Sequence, residues 1–420
     1  MKGVHVLMKQ LVTRELLTKY AELVVRVGVN VQKGQPVVIN CPIESFTFAH
    51  IVQKVAYDLG ASNVIMNWID DETKKEFYLR ASDEAIDTVP DSMAARYEEW
   101  DMAGAAYIHI ITENPDLFKD VCPDRIKRFS KIMYSKLNAH YENKRSYRNR
   151  WSIIAVPSKS WAMKLFPHLP ECEAIETLWH LILKGARADG ENPIADWEAH
   201  GKSFKSRVKF LNDNQFNILH FTNSLGTDLK VGLPKNHRYI GGGVKDKNGI
   251  VFFPNIPTEE IFTSPHKNNV NGVMMASKPL IYAENIIENL KLVFKDGEIV
   301  DYKASTGQDV LKTLIDFDEG SRYLGEIALA SNISPLSQTE TLFYNTLFDE
   351  NTGCHIGIGN ANPSNIQNGD RLTKEELQTA GLNSSLVLVN AAFGTSDMKV
   401  VGIKKDNSKF IIINNGEFQI

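Results

Sequence analysis

The chain has 420 residues, of which 43% are hydrophobic and 23% charged, and its formal net charge at pH 7 is −4. This length exceeds the roughly 250–300 residues at which a single hydrophobic core stops growing, so two domains are expected. The near balance of acidic and basic residues argues against a general electrostatic attraction for nucleic acid or an anionic membrane surface. A small-molecule or peptide partner is therefore favoured.

The sequence shows no targeting or membrane-spanning pattern. Its first segment lacks the apolar core of a signal peptide, and no run approaches the roughly 18 apolar residues that a membrane-spanning helix needs. The four cysteines form no CxxC pair, so free thiols in a reducing compartment are expected. We expect a cytoplasmic protein.

The first half of the sequence alternates helical and strand patterns. Residues 13–28 carry apolar side chains at helical spacing and end on Gly28, and residues 35–40 then form a buried apolar run. A second helical pattern, 46–61, precedes a strand pattern at 63–68, and further strands are predicted at 105–112 and 151–157. This order predicts a parallel α/β domain, which we place at residues 1–216.

One basic segment, residues 144–150, mixes arginine and lysine with aromatic residues. Basic and aromatic side chains together can bind single-stranded RNA. The favoured interpretation is a solvated turn before the next strand, so nucleic-acid binding is not expected.

From residue 217 the sequence changes to short strand patterns joined by turns. Apolar and polar residues alternate with period two, and Asp296–Gly297 is a typical hairpin turn. One helix is predicted within this region, from residue 308 to residue 330. The sequence therefore predicts an α+β C-terminal domain at residues 217–420, and this domain carries the candidate chemistry.

The first candidate metal ligands are the adjacent residues Glu259 and Glu260. The segment lies between Pro257 and Pro265, which favours an extended backbone in which neighbouring side chains point to opposite sides. One glutamate can therefore face a shared pocket. We predict Glu260 as the ligand, with Glu259 facing solvent or supporting the site.

Glu326 is the second candidate ligand. On the predicted helix it shares a face with Glu319 and Arg322, which is typical of an exposed ladder of charges. The apolar residues that follow it, 327–329, favour a different interpretation. A carboxylate buried beside them needs a partner, and a cation is the obvious one.

His355 is the third candidate ligand and the last histidine of the chain. A structural histidine is the alternative interpretation. A site for two metals would have to take its remaining ligands from carboxylates, since no later imidazole is present. The adjacent Cys354 is not expected to form a nucleophile–base pair with it, because neighbouring strand residues point apart.

Several long segments together resemble one family, the metallo-aminopeptidases of the aminopeptidase T, AmpS and PepS type. The resemblance runs along nearly the whole chain and includes residues 19–40, 151–162, 226–234, 255–280, 318–329 and 342–355. It implies an aminopeptidase T-like fold, a homodimer with an enclosed chamber, and cytoplasmic exopeptidase activity with two divalent metals. Carried over by position, it implies that Glu260, Glu326 and His355 bind metal.

Three positions depart from the family pattern. The strand at residues 385–390 carries Leu388 and Asn390 where the family has a metal-binding histidine and aspartate. Asn362 stands where the family has a tyrosine that assists at the scissile carbonyl. Leucine has no lone pair, and asparagine lacks the charge that holds two dications close together. The resemblance therefore implies a metal site with altered ligands.

Three functions remain open at this point. The first is a divergent metallo-aminopeptidase or amide hydrolase for small peptides or amino-acyl substrates, with one zinc, cobalt or manganese per subunit and Glu259 as general base. The second is non-hydrolytic biosynthetic chemistry on the same scaffold: amide or ester formation, cyclisation or transfer. The third is an inactive, metal-free peptide-binding protein. Asp397 is the leading substitute ligand, ahead of Glu319 and Asp349.

Overall fold

The structure is a computed structural model that describes residues 11–114, 116–283 and 285–420, with elements numbered along the chain. The described helices are α1 Arg14–Leu23, α2 Phe46–Asp58, α3 Asp71–Arg80, α4 Asp83–Ile86, α5 Asp91–Met102, α6 Pro123–Lys136, α7 Asn138–Arg145, α8 Lys159–Leu165, α9 Glu171–Gly185, α10 Pro193–Asn214, α11 Gln308–Ile315, α12 Thr346–Asp349 and α13 Lys374–Thr379. None of the helices within these ranges is long and apolar enough to cross a membrane.

The described strands are β1 Pro36–Pro42, β2 Asn63–Ile69, β3 Ala106–Ile111, β4 Trp151–Ala155, β5 Ile218–Thr222, β6 Asp228–Gly232, β7 Ile240–Gly241, β8 Val244–Lys245, β9 Val251–Phe252, β10 Asn255–Ile256, β11 Ile261–Thr263, β12 Val270–Met275, β13 Leu280–Tyr282, β14 Asn285–Ile287, β15 Lys291–Lys295, β16 Glu298–Lys303, β17 Leu324–Leu329, β18 His355–Gly359, β19 Leu388–Ala392, β20 Lys399–Ile403, β21 Lys409–Asn414 and β22 Glu417–Phe418.

The chain folds as two compact units. The first comprises the described residues up to Glu198 together with Gly243–Pro257, and the second comprises Ala199–Gly242 together with Thr258–Ile420. These limits differ from the sequence-based boundary between residues 216 and 217. The division falls inside α10, and the later segment belongs to the first unit because β10 pairs with β4.

The first unit is built on a five-stranded parallel sheet in the order β10-β4-β3-β1-β2. The strands are buried apolar runs separated by helices, as expected when both faces of a parallel sheet are covered. Thr13 caps α1 by accepting a hydrogen bond from the Leu16 N–H at 3.2 Å. The helix continues as a π-helical turn to Gly28, as the spacing predicts. The predicted parallel α/β fold of this half is confirmed.

The predicted solvated turn accounts for part of the basic segment at residues 144–150: residues 146–149 form a turn in which Arg148 is exposed, whereas Lys144 and Arg150 contact the interior. The buried guanidinium of Arg150 donates to Asp246 at 2.6 Å. The Lys144 ammonium lies 4.8 Å from the centroid of the Trp151 ring and 3.0 Å from Nε2 of His109. These contacts engage both cations inside the unit, so they do not form the exposed basic and aromatic surface that RNA binding requires.

The second unit contains two antiparallel sheets. An eight-stranded sheet runs in the order β16-β15-β12-β6-β5-β20-β21-β22, and a five-stranded sheet runs in the order β19-β18-β17-β11-β7. The hairpin predicted at Asp296–Gly297 joins β15 to β16, and both turn residues have positive φ, at 48° and 90°. A mainly antiparallel α+β unit is therefore confirmed.

The predicted helix from residue 308 to residue 330 is wrong beyond its first third. α11 ends at Ile315, a single 3-10 turn covers Glu319–Arg322, and β17 follows. Gly320 and Gly325 weaken a helix at this point, whereas the almost continuous burial of Leu324–Leu329 suits a strand that pairs with β11 and β18 on its two sides. The ladder of charges predicted for Glu326 therefore does not exist.

Candidate metal centre

One face of the five-stranded sheet carries the candidate ligands. Across β17, β18 and β19, Glu326 lies opposite Gly357, and Gly357 lies opposite Asn390. In the next row His355 lies between Ala328 and Ala392. Because strand side chains alternate, the intervening residues of these strands point into the core while this face presents its polar groups together.

Gly357 leaves the space in which these groups meet. A Cβ atom at this position would lie 2.7 Å from Leu388 Cδ1, 2.8 Å from Glu326 Cβ and 3.0 Å from Asn390 Oδ1. No ordinary side chain fits without moving one of them. The glycine therefore permits the close approach of the neighbouring strand residues.

Glu260, Glu326 and His355 converge on one point. Their ligand atoms all lie within 4.8 Å of one another, with His355 Nε2 at 3.1 Å from Glu260 Oε2 and 3.4 Å from Glu326 Oε1. His355 is fully buried, and each glutamate side chain is 13% exposed. The structure thus brings together the three ligands predicted from the sequence.

The electrostatics of this cluster are those of crowded carboxylates around an imidazole. Burial raises the pKa of Glu326, opposed by the contact with His355 and reinforced by the negative charge of Glu260. Burial alone would lower the pKa of His355, but the facing carboxylates of Glu260 and Glu326 outweigh it and hold the pKa well above its usual range. The charged form of each of these groups is therefore stabilised by the opposite charge of its neighbours in the cluster.

The unsatisfied atoms of the cluster fit a divalent cation. His355 Nε2, Glu260 Oε2 and Asn390 Oδ1 are buried, and none finds a partner with hydrogen-bond geometry within the described ranges. Nδ1 of His355 lies 3.5 Å from the Gly353 carbonyl oxygen, an orientation that directs Nε2 into the cluster. Two carboxylates and one imidazole around a shared point are typical zinc, cobalt or manganese ligands.

Glu350 belongs to the same site and was missed by the sequence analysis. Its carboxylate accepts a hydrogen bond from Asn390 Nδ2 at 3.2 Å. Burial, then the negative charge of nearby Glu260, raises its pKa to about 8. Glu350 lies in the irregular turn after α12, where no periodicity predicts which way a side chain points. Its spacing of five residues before His355 is the only signal in the sequence.

A cavity of about 490 Å³ opens beside this cluster within the second unit. Glu350, His355, Leu388 and Asn390 border it, so two of the three positions at which the sequence resemblance implies a departure lie in its wall. Lys278 and further residues complete the wall: Pro279, Leu280, Ile281, Tyr282, Ala283, Leu342, Tyr344, Asn345, Thr346, Asp349, Val389 and Ala392. The size and mixed lining are typical of a site for a small ligand.

Glu259 lies outside the cluster. It is 5% exposed, so the solvent-facing alternative is wrong. Its backbone N–H donates to Asn351 Oδ1 at 2.6 Å, and its Oε2 lies 3.9 Å from His200 Nε2. It is also not among the residues that border the cavity. The role of general base for Glu259 stays a prediction, and the geometry favours Glu350 for that role.

The three altered family positions have different surroundings. Leu388 is 47% exposed on β19, and Asn390, two residues further, contacts Glu350. Asn362 caps the short 3-10 turn Pro363–Asn365, with its side-chain oxygen accepting from the Ser364 N–H at 3.0 Å. Asn362 thus serves the local turn.

The proposed substitute ligands do not join the cluster. Asp397 is exposed, and its carboxylate accepts hydrogen bonds from the Ser224 N–H at 2.8 Å and the Thr395 hydroxyl at 2.6 Å. The Glu319 side chain is 92% exposed. Asp349 is half-buried, and its carboxylate accepts hydrogen bonds from two backbone N–H groups of the loop before α12.

The cysteines do not contribute to this chemistry. All four are free: Cys41 and Cys354 are buried, whereas Cys122 and Cys172 are exposed. Burial raises the pKa of the Cys354 thiol to about 12, so it is not a thiolate at neutral pH. The expectation that Cys354 and His355 do not act together is consistent with this.

A carboxylate and imidazole cluster at the edge of a cavity, on an antiparallel sheet that follows a parallel α/β unit, defines a metallopeptidase type of protein. Residues 13–418 match the family described as thermophilic metalloprotease (M29). The chain belongs to this family of metallo-aminopeptidases.

Individual relatives agree over their full lengths. The chain is 43% identical to aminopeptidase AmpS of Bacillus subtilis, covering 96% of this chain and 98% of the relative. It is 39% identical to aminopeptidase PepS of Streptococcus thermophilus, covering 97% and 98%. The solved structure of wild-type AmpT from Thermus thermophilus superposes with a TM-score of 0.90 at 34% identity, covering 97% of this chain and 100% of that one.

Proposed function

We propose that this chain is a metallo-aminopeptidase, or a closely related amide hydrolase, that acts on small peptides or amino-acyl substrates with a remodelled metal site. The observation that carries the proposal is the cluster of Glu260, Glu326 and His355, in which Glu260 Oε2 and His355 Nε2 are buried without a hydrogen-bond partner among the described residues. Family membership supplies the class of reaction. Glu350 adds a fourth polar group at the position where the cluster meets the cavity.

Charge balance supports a bound dication. The site holds three carboxylates, those of Glu260, Glu326 and Glu350, and one imidazole, all largely removed from water. Uncompensated buried charges are costly, and a divalent cation offsets two of the negative charges. The loss of the family histidine and aspartate at positions 388 and 390 favours one metal per subunit.

The residues of this chain would have separate roles in metal binding, proton transfer and substrate contact. Glu260, Glu326 and His355 would hold the metal, and a divalent metal there supplies a Lewis acid for the scissile carbonyl. Glu350 would exchange a proton with the reacting groups, since it borders the cavity and is held in place by Asn390. The apolar side chain of Leu388 would face the substrate.

The test is metal content per subunit, measured by elemental analysis on protein purified without chelator and then titrated with zinc, cobalt or manganese. We expect one tightly bound ion and chelator-sensitive release of N-terminal residues from short peptides. The variant Glu326→Gln should lose the ion, because it removes one of the two carboxylate ligands. The matched control is Glu319→Gln, an exposed carboxylate seven residues earlier, which should retain it.

Three results would contradict the proposal. Unchanged metal content in Glu326→Gln would show that the cluster is not the binding site. A wild-type protein that takes up no metal would favour the metal-free peptide-binding alternative. Metal uptake without hydrolysis of any peptide would instead favour the non-hydrolytic alternative. That alternative is supported by Leu388, which lies in the cavity wall where the resemblance implies a metal ligand.

A further inference from the structure

A lysine shares the cavity with the metal cluster. Lys278 borders the same space as Glu350 and His355 and lies three residues after the end of β12. Its side chain is largely withdrawn from water, and burial lowers its pKa, with the charge of Asp349 opposing that effect. Its ammonium donates one hydrogen bond, to the Thr341 carbonyl oxygen at 3.1 Å.

No carboxylate in the described parts of the chain forms an ion pair with Lys278. Asp349 acts on it at longer range, and its two oxygens already accept hydrogen bonds from the backbone N–H groups of Phe343 at 2.8 Å and Asn345 at 3.0 Å. An ammonium carries three donors, and here one is used within the protein. A desolvated cation with unused donors in a cavity wall is costly unless a ligand brings the compensating anion.

The cavity wall therefore carries both a cation and acidic groups. Lys278 contributes the ammonium, and Glu350 contributes a carboxyl group next to the metal cluster. The wall also includes the apolar side chains of Leu280, Leu342 and Leu388. A volume of about 490 Å³ lies near the low end of the range for small-ligand sites, which suits a molecule of dipeptide size.

We propose that Lys278 binds the free carboxylate of the substrate, so that the preferred substrates are dipeptides or other amino-acyl compounds ending in a carboxylate. Such a molecule complements both kinds of group in the cavity wall, with its amino group toward the acidic cluster and its carboxylate on the ammonium. The inference rests on the proposed function only in placing the reacting amide beside the metal cluster. The binding of the carboxylate itself does not require turnover.

The experiment measures binding of leucyl-glycine and of leucyl-glycinamide, by isothermal titration calorimetry on the full-length protein with and without added metal. We expect the wild type to bind the free carboxylate about 10- to 100-fold more tightly than the amide, the scale of one charge-assisted hydrogen bond. Lys278→Met should abolish this difference and leave binding of the amide unchanged. Methionine fills a similar volume without a buried charge, so the variant is expected to fold.

Lys267→Met is the matched control. Lys267 is a half-buried lysine of the same unit that stacks 4.4 Å from the centroid of Tyr323 and is not among the residues that border the cavity. It should keep the preference for the carboxylate. Equal binding of the two ligands by the wild type would overturn the inference without any variant, as would equal losses for both ligands in Lys278→Met.

The result separates this inference from the proposed function. In one outcome, the protein shows a carboxylate preference that disappears in Lys278→Met and yet never hydrolyses the peptide. That result would support carboxylate binding by Lys278 and contradict the proposed hydrolase function. Hydrolysis of leucyl-glycine and its amide at equal kcat/KM, unaffected by Lys278→Met, would support the proposed hydrolase function and overturn carboxylate binding by Lys278.

Discussion

The substitution Asn390→Asp tests the charge balance of the metal centre directly. It restores the residue type that the family carries at this position and removes the donor that now contacts Glu350. In the protein without metal, the change places a second carboxylate about where the amide nitrogen lies, 3.2 Å from Glu350 Oε2. The same change adds a charged ligand beside the metal. Its effect on stability should therefore have opposite signs in the two states.

The size of the effect follows from that distance. Two unit charges at 3.2 Å repel by about 5 kcal/mol at an effective dielectric constant of about 20. A proton shared by the two carboxylates relieves most of this repulsion. The net destabilisation of the metal-free variant is then roughly 2 kcal/mol, which is also the size of a charge-assisted hydrogen bond such as the one that is lost. For a unit of this size, that lowers Tm by about 4–8 °C.

The assay is thermal unfolding at neutral pH, with chelator and with zinc. With chelator, Asn390→Asp should melt below the wild type. With saturating zinc it should melt at or above the wild type, because a ligand present at 100 times its Kd adds about 2.7 kcal/mol and the variant binds more tightly. Asn362→Asp is the matched control, because it makes the same amide-to-carboxylate change at a residue whose side chain contacts Ser364 and not Glu350. Its change in Tm should be the same with chelator and with zinc.

The reasoning would be refuted if Asn390→Asp shifted Tm by the same amount with chelator and with zinc. It would also fail if Asn362→Asp reproduced the dependence on metal, since the effect would then be one of net charge.

Three further predictions follow from the same structure. Leu388→His with Asn390→Asp should raise peptidase activity and metal content to two ions per subunit, measured by kcat/KM and elemental analysis; uptake without activity would mean that the cavity has been rebuilt for other chemistry. Gly357→Ala should weaken metal binding at least tenfold, because overpacking costs about 1–3 kcal/mol and displaces ligands; an unchanged zinc titration would contradict this. Asp246→Asn should destabilise the protein by about 3–5 kcal/mol in urea unfolding by leaving its buried arginine unpaired. Asp213→Asn, in an exposed pair, should cost about 0–0.5 kcal/mol, and equal losses for the two would be evidence against the argument.

The strongly periodic parts of the fold could be predicted from the sequence. The apolar strands of the first unit and the alternating hairpins of the second follow local side-chain spacing, which is why both fold types were confirmed. The segment around Glu326 was misread as a helix because its apolar residues also fit helical spacing. Pairing with β11 and β18, which local spacing does not contain, decides in favour of the strand.

The same limit applies to the site. Glu260, Glu326 and His355 were found because carboxylate and imidazole stand in apolar or glycine-rich surroundings, where a buried charge needs a partner. Glu350 was missed because its position depends on a short 3-10 turn, and Lys278 because only the folded structure places it in the wall of the cavity. Such properties arise from contacts between residues far apart in the sequence.

The short segment Gly243–Pro257 has a consequence for synthesis. It supplies the edge strand of the parallel sheet and the aspartate that neutralises Arg150 in the interior. On the ribosome, the N-terminal sheet cannot be completed until this segment has emerged, well after the rest of that sheet and the first strands of the second unit. A gene fragment cut after α10 would lack both the strand and the charge. The two units therefore cannot be exchanged as independent modules, because the first unit needs a segment that is encoded within the second. We expect the two units to be inherited together in one chain.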